Sequence, residues 1–422
     1  MSEATSPHFH THQLSNGLQI VGQSMPDFES VALCFYVRTG ARDEEDTRVA
    51  GISHFLEHMI FKGTKTLDWQ QLKQEFTRIG AEKNGSTSVE YTVYYLRVLG
   101  EYLDRALELL SEMMVPRLDE HDFETEKEVI VNEIARSEEL PRGLAYRRMM
   151  HAYFGERPLG NYVLGSRESI RSMRIDRMRD YWQRRYVTNN LVLSVAGNFN
   201  WNYVVDVAEQ HCHSWQSGDA AGRQATPYEP LESTNHVMVD TKLKQQILMI
   251  TMPSVDARDP DYEAAVLGAS ILGHHNGSRL YWNIRQKGLA ESVGSSVRAL
   301  EGTGILLMEA STTPEKAPGV LTLLQAELVR LLEEGIDEDE LRRAKDKWVS
   351  NKVLNSESTY ARMHSLASDW MTYGRLVNIE EEIERIEQVN TEDVMRTLHR
   401  FPLREKQVLT TLGPLSEVEL LA

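Results

Sequence analysis

The stretch Gly51 to Phe61, which reads GISHFLEHMIF, constrains this chain more than any other. It carries His54, Glu57 and His58 at spacings of three and four, which on a helix places them on one face. Phe55, Leu56, Met59, Ile60 and Phe61 stand among them, so the same short helix must also bury an apolar face. Buried imidazoles and carboxylates need partners, and packing alone gives no reason for this trio. Two histidines one turn apart can hold one Zn²⁺, and Glu57 beside them is placed to take a proton from a metal-activated water. Such a site needs a third donor, so the fold must bring a second, acid-bearing element against this helix.

A chain of 422 residues is long enough for two or three domains with sizeable cores. With 41% hydrophobic and 26% charged residues it is globular rather than disordered. The net charge of -17 argues against nucleic acid or an anionic membrane as the main partner, while tolerating basic peptides. Cys34 and Cys212 are far apart and indicate no disulfide framework; Cys34 reads as a small core residue. Met1 to His12 lacks the charge and apolar run of a signal peptide, and no stretch is apolar for long enough to span a bilayer. The expectation is a soluble cytoplasmic protein.

The chain order supplies the missing element. Asn16-Gly17 predicts a hairpin turn, and Ser30 to Thr39 a buried strand. Asp68 to Ile79 reads as an amphipathic helix, and Glu82 to Val98 as one β-strand beginning at Asn84-Gly85-Ser86. Asp119 to Glu139 is a charged helix in which Glu126 and Glu133, two turns apart, share a face. Val129, Ile130, Val131 and Ile134 make the surroundings of Glu133 apolar, which makes it the candidate third ligand.

These blocks, GISHFLEHMIFKGT, KNGSTSVEYTVYY and ETEKEVIVNEI, resemble the M16 metallopeptidases, the pitrilysin and mitochondrial processing peptidase family. PLGNYVLGS and YVTNNLVLSVAGNF resemble the same family's first domain, and the order of residues in the first block is the inverzincin motif. The resemblance implies that His54, His58 and Glu133 hold zinc, one ion per chain, and that Glu57 is the general base. It implies that Glu126 is a second acid that orients a ligand or tunes the site. Asn84, Gly85 and Ser86 match an edge strand on which peptide substrates add as a further strand. Family chains of this length work as dimers, so a homodimer or a heterodimer with another M16-like chain is expected.

The second half repeats the plan. From His236 come a strand, QQILMITMP, a helix Tyr262 to Leu272, a helix Ala317 to Glu334 and a charged helix from Asp337. Asp119 to Phe123 echoes Asp337 to Leu341, and at that offset Glu126 falls on Ala344 and Glu133 on Asn351. The metal site is therefore expected only in the first half. Leu272 to Val293 resembles the family's glycine-rich loop and the segment after it; Arg285 is retained as a substrate-binding residue, while Glu291 stands where a Tyr is common. His274 and His275 read as loop residues, and His211-Cys212-His213 lacks ligand spacing. The whole reads as an α+β protein of two homologous mixed α/β domains. Residues 1–215 form the zinc-binding domain, 216–235 a linker, and 236–422 a second domain without metal. The implied activity is that of a zinc metalloendopeptidase; the alternative is a non-catalytic subunit serving as scaffold in a heterodimer.

Overall fold

The computed structural model describes residues 8–44, 47–218, 220, 222–223 and 234–421. Most of the predicted linker, including 224–233, lies outside the described residues. Two compact units emerge, each built on one mixed sheet.

The first sheet uses β1 (His8–Gln13), β2 (Gln19–Ser24), β3 (Ser30–Val37), β4 (Glu82–Thr87), β5 (Thr92–Leu99) and β6 (Leu191–Gly197), in the order β1-β2-β6-β3-β5-β4. β2 and β6 run parallel and all other pairs are antiparallel. β6 is buried throughout and β3 nearly so, as their unbroken apolar runs require of central strands covered on both faces. The second sheet uses β7 (Thr234–Val239), β8 (Gln246–Ser254), β9 (Ser292–Leu300), β10 (Thr303–Thr312) and β11 (Val408–Gly413), in the order β7-β11-β8-β10-β9. Its one parallel pair is again at the same place, between β7 and β11. Leaving out β1, the two sheets have the same strand order and directions, so both halves are one fold, as the sequence echo implied.

The helices that matter for the site are α1 (Ile52–Ile60), α2 (Trp69–Arg78), α3 (Leu103–Met113) and α4 (Glu120–Glu138), followed by α5 (Pro141–Phe154). The second charged helix spans Glu338–Ser356, so both of its ends lie at the offset of 218 seen in the sequence. The helix after it, Thr359–Tyr373, packs on β2, β3 and β6 of the first unit. Its counterpart α5 packs on β8 and β11 of the second unit. The two halves thus exchange one helix each. Met363, Leu366 and Ala367 complete a core with Val21, Ala32, Cys34, Val192 and Ala196, and Cys34 is fully buried there.

Two local expectations need correction. Glu82 to Val98 is not one strand but the hairpin β4–β5: Ser88 accepts the backbone N–H groups of Glu90 and Tyr91, and Ser88 N–H closes on Tyr91 at 2.8 Å. Residue alternation persists across such a turn, so periodicity cannot reveal it. The segment resembling a glycine-rich loop is partly helical, over Ser270–His274 and Tyr281–Arg285, with wide turns such as Gln286 N–H to Tyr281 C=O at 2.8 Å.

Candidate active site

α1 begins at Gly51, whose φ of 88° lies in the left-handed region; a Cβ there would also meet the carbonyl oxygen of Leu164 at 2.6 Å. The buried Glu44 carboxyl accepts the N–H groups of Gly51 and Ser53 at 2.9 and 3.1 Å and so anchors the start of the helix. Every residue of α1 is buried except His58, which is partly so. α4 is held against it by Phe55 and Phe123, whose rings stack 4.6 Å apart at 8°. That contact sits one residue from His54 and three from Glu126, so it also fixes how the acids of α4 meet the histidines of α1.

The result is a compact cluster. Nδ1 of His58 is 2.9 Å from Glu126, and Nε2 of the same ring is 3.4 Å from Glu133. Nε2 of His54 is 3.6 Å from the other oxygen of Glu133. A carboxylate only accepts, so in the metal-free cluster the His58 ring donates from Nδ1 to Glu126 and from Nε2 toward Glu133; loss of the Nε2 proton would free that lone pair for a metal. The opposite acid oxygen of Glu126 is ion-paired with Lys62 at 2.5 Å.

The charges follow from this packing. Burial, helped by the neighbouring His58, pushes His54 down to about 4. Burial also opposes a charge on His58, but hydrogen bonds to Glu126 and Glu133 outweigh it and lift the ring to about 9. Burial raises Glu57, with the Thr87 hydroxyl pulling the other way. Glu133 is held below the usual carboxylate range, chiefly by its hydrogen bond to His58.

The donor set fits zinc. Tetrahedral ligands at the usual bond lengths of about 2.1 Å stand roughly 3.4 Å apart, near the 3.4 and 3.6 Å found here. Among the described residues, His54, His58 and Glu133 are the only three that present such converging donor atoms. His211 and His213 flank the buried Cys212 at the end of a helix, and His275 accepts the N–H of Gly277; neither forms a cluster.

β4 is an edge strand, paired only with β5 among the described residues, and it crosses Glu57. A Cβ on Gly85 would lie 2.6 Å from Oε1 of Glu57 and 2.9 Å from Phe61. Thr87, not singled out from the sequence, donates its hydroxyl to the other oxygen of Glu57 at 2.7 Å. Asn84 lines a cleft of about 350 Å³ together with Glu57, His58 and Glu126, and Ser86 follows on the same strand. Glu57, Glu126, His54, His58, Glu133, Asn84, Gly85 and Ser86 are thus together in the first unit. Arg285 belongs to the second unit, with its guanidinium 5.9 Å from the Tyr281 ring; Glu291, also there, accepts a hydrogen bond from Gln245.

The chain is similar to known proteins over most of its length. Residues 19–167 match the family "Insulinase (Peptidase family M16)" and residues 172–347 match "Peptidase M16 inactive domain". An uncharacterized zinc protease of Rickettsia felis is 31% identical, over 93% of this chain and 95% of its own. The chain belongs to peptidase family M16. A second M16-type relative, an uncharacterized zinc protease of Bacillus subtilis, is also 31% identical, over 94% of this chain and 97% of its own. In structure, the M16 fold here is similar to a protease from Helicobacter pylori with a TM-score of 0.89, at 23% identity over 97% of this chain and 100% of that one. A peptidase M16 inactive domain from Pseudomonas fluorescens also gives 0.89, at 22% identity over 97% and 98%.

Proposed function

We propose that this M16 chain is a zinc-dependent endopeptidase that hydrolyses unfolded peptides or small proteins laid along β4 as an added strand. The observation that carries the proposal is the meeting of an open strand edge with a buried carboxylate: Gly85 leaves room for Glu57 directly beneath β4, one residue from His58. His54, His58 and Glu133 would hold the ion, with Glu126 fixing the ring of His58. Zinc in such a site supplies a Lewis acid that polarises a carbonyl and acidifies water. The chain's own residues do the rest. β4 binds the substrate backbone through its free N–H and C=O groups. Glu57, oriented by Thr87, accepts a proton from water and returns it to the leaving amine. Glu126 and Lys62 balance each other, so the cluster does not carry a surplus acid.

Metal analysis should find about one zinc per chain. The Glu57→Gln protein should retain that zinc and lose cleavage of unstructured peptides. Absence of zinc from the wild type would overturn the reading. Among the described residues no helix is long and apolar enough to cross a membrane, and a cytoplasmic enzyme acting as a homodimer or heterodimer is part of the proposal. A chain of complex III2 from Candida albicans has the same fold with a TM-score of 0.85, at 18% identity over 97% of each chain. A second reading, a subunit dependent on a partner or without activity, is favoured by Glu291 at the position where the family commonly has Tyr. Zinc binding without cleavage until a second M16-like chain is added would support it.

A further inference from the structure

The cleft beside Glu57 is charged oppositely to the chain. The protein carries a net charge of -17, yet Lys62, Lys73 and Lys83 line this one cleft. Lys62 is committed to Glu126. Lys73 and Lys83 are not: among the described residues neither pairs with a carboxylate. The acids close to them in sequence are occupied, Glu75 by Arg78 and Arg105 and Glu82 by Arg97.

Lys83 is also placed rather than loose. Its ammonium stands 4.9 Å from the centre of the Phe61 ring and 5.0 Å from that of Phe76. Two aromatic faces hold the charge over the cleft. Partial burial, and then the like charge of Lys73, lower the pKa of Lys83, and the residue stays exposed to an incoming side chain. Leu72 and Phe76 are buried beneath, and Trp69 is 45% exposed at the rim, offering apolar contact for the methylenes of an incoming side chain. Lys83 is the β4 residue just before Asn84. Alternate side chains of a strand added along β4 point to the same face, so one substrate side chain is delivered here.

We infer that the Lys73/Lys83 cleft is a specificity pocket for an acidic side chain, Asp or Glu, of the bound peptide close to the bond cleaved. The inference takes its location from the peptidase reading, but its charge preference is a property of binding alone and is testable without turnover.

The test uses zinc-loaded, full-length Glu57→Gln protein and a set of fluorescent unstructured peptides in which Glu, Ala or Lys is moved through each position in turn. At one position Glu should bind about tenfold more tightly than Lys, and added salt should shrink the ratio. Lys73→Met with Lys83→Met should level the ratio, and Lys73→Glu with Lys83→Glu should invert it. Because the readout is a ratio within each protein, a general loss of affinity cannot imitate the result. No charge preference at any position, or one that survives the double charge reversal, overturns the inference. Turnover of the same peptides by the wild type separates the two readings. Cleavage without charge preference sinks this inference alone, whereas charge-selective binding without cleavage, even after a second M16-like chain is added, supports the pocket and overturns the peptidase reading.

Discussion

Gly85 has no side chain, and the space that leaves is filled by Glu57 and Phe61. Gly85→Ala puts a methyl 2.6 Å from the carboxylate oxygen, so either β4 or Glu57 must move. The expected outcome is a loss of about 100-fold in kcat/KM on a peptide substrate, because sub-ångström placement of a reacting group carries much of a rate. Zinc content should stay near that of the wild type, since the atoms nearest the new methyl belong to Glu57 and Phe61 rather than to His54, His58 or Glu133. Thr87 is a milder test of the same geometry. Thr87→Val keeps the shape but removes the hydroxyl that orients Glu57, and should cost about tenfold in kcat, with Thr87→Ser restoring most of it. Legibility at this scale depended on distance along the chain. His54, Glu57 and His58 are neighbours on one helical turn, so their spacing alone picked them out as candidates. Thr87 meets Glu57 only after the chain has passed through α2 and turned back, and no local pattern distinguishes it from any other strand threonine.

α1 and α4 meet through aromatic stacking, and that contact transmits to the cluster of His54, His58 and Glu133. Phe123→Ala removes a fully buried ring and should lower stability by about 3–5 kcal/mol in denaturant titrations. Its informative signature is a second effect: weaker zinc binding in the folded protein, because Glu126 and Glu133 ride on the same helix. Equal loss of stability with unchanged zinc affinity would show that α4 is held in place by other contacts. The helix Thr359–Tyr373 offers a test by pH. His364 faces Tyr36, Tyr95 and Tyr360, with Nδ1 3.3 Å from the Tyr36 hydroxyl, and burial lowers its pKa. The folded state therefore resists a proton that the unfolded chain accepts near pH 6.5. Its stabilising contribution is complete above that pH and is lost as pH falls toward the folded value. Urea midpoints measured at pH 7.5, 6 and 5 should fall less steeply for His364→Gln than for the wild type. A parallel decline would mean that His364 does not titrate differently on folding.

At the scale of the molecule, the sequence disclosed that one fold occurs twice but not how the two copies share their parts. The echo between Asp119–Phe123 and Asp337–Leu341 was readable because acidic N-terminal turns recur at a fixed offset. Met363, Leu366 and Ala367 are buried on one face of a helix that the sequence did not single out, and a hydrophobic face does not in any case say which sheet it covers. The structure places that helix on β2, β3 and β6, and places α5 on β8 and β11, so each unit depends on a helix from the other half of the sequence. A fragment of residues 1–215 contains all the proposed zinc ligands yet lacks the helix that buries Val21, Ala32, Cys34, Val192 and Ala196. An apolar sheet face left open in this way favours association and loosened packing. The fragment should therefore bind a hydrophobic dye, unfold without a sharp transition and hold zinc poorly. Adding a second fragment that contains Thr359–Tyr373 should restore cooperative unfolding and zinc binding, and one in which Met363 and Leu366 are replaced by Asp should not. A 1–215 fragment that unfolds sharply and binds zinc without help would show that the exchanged helix decorates the first sheet rather than completing its core.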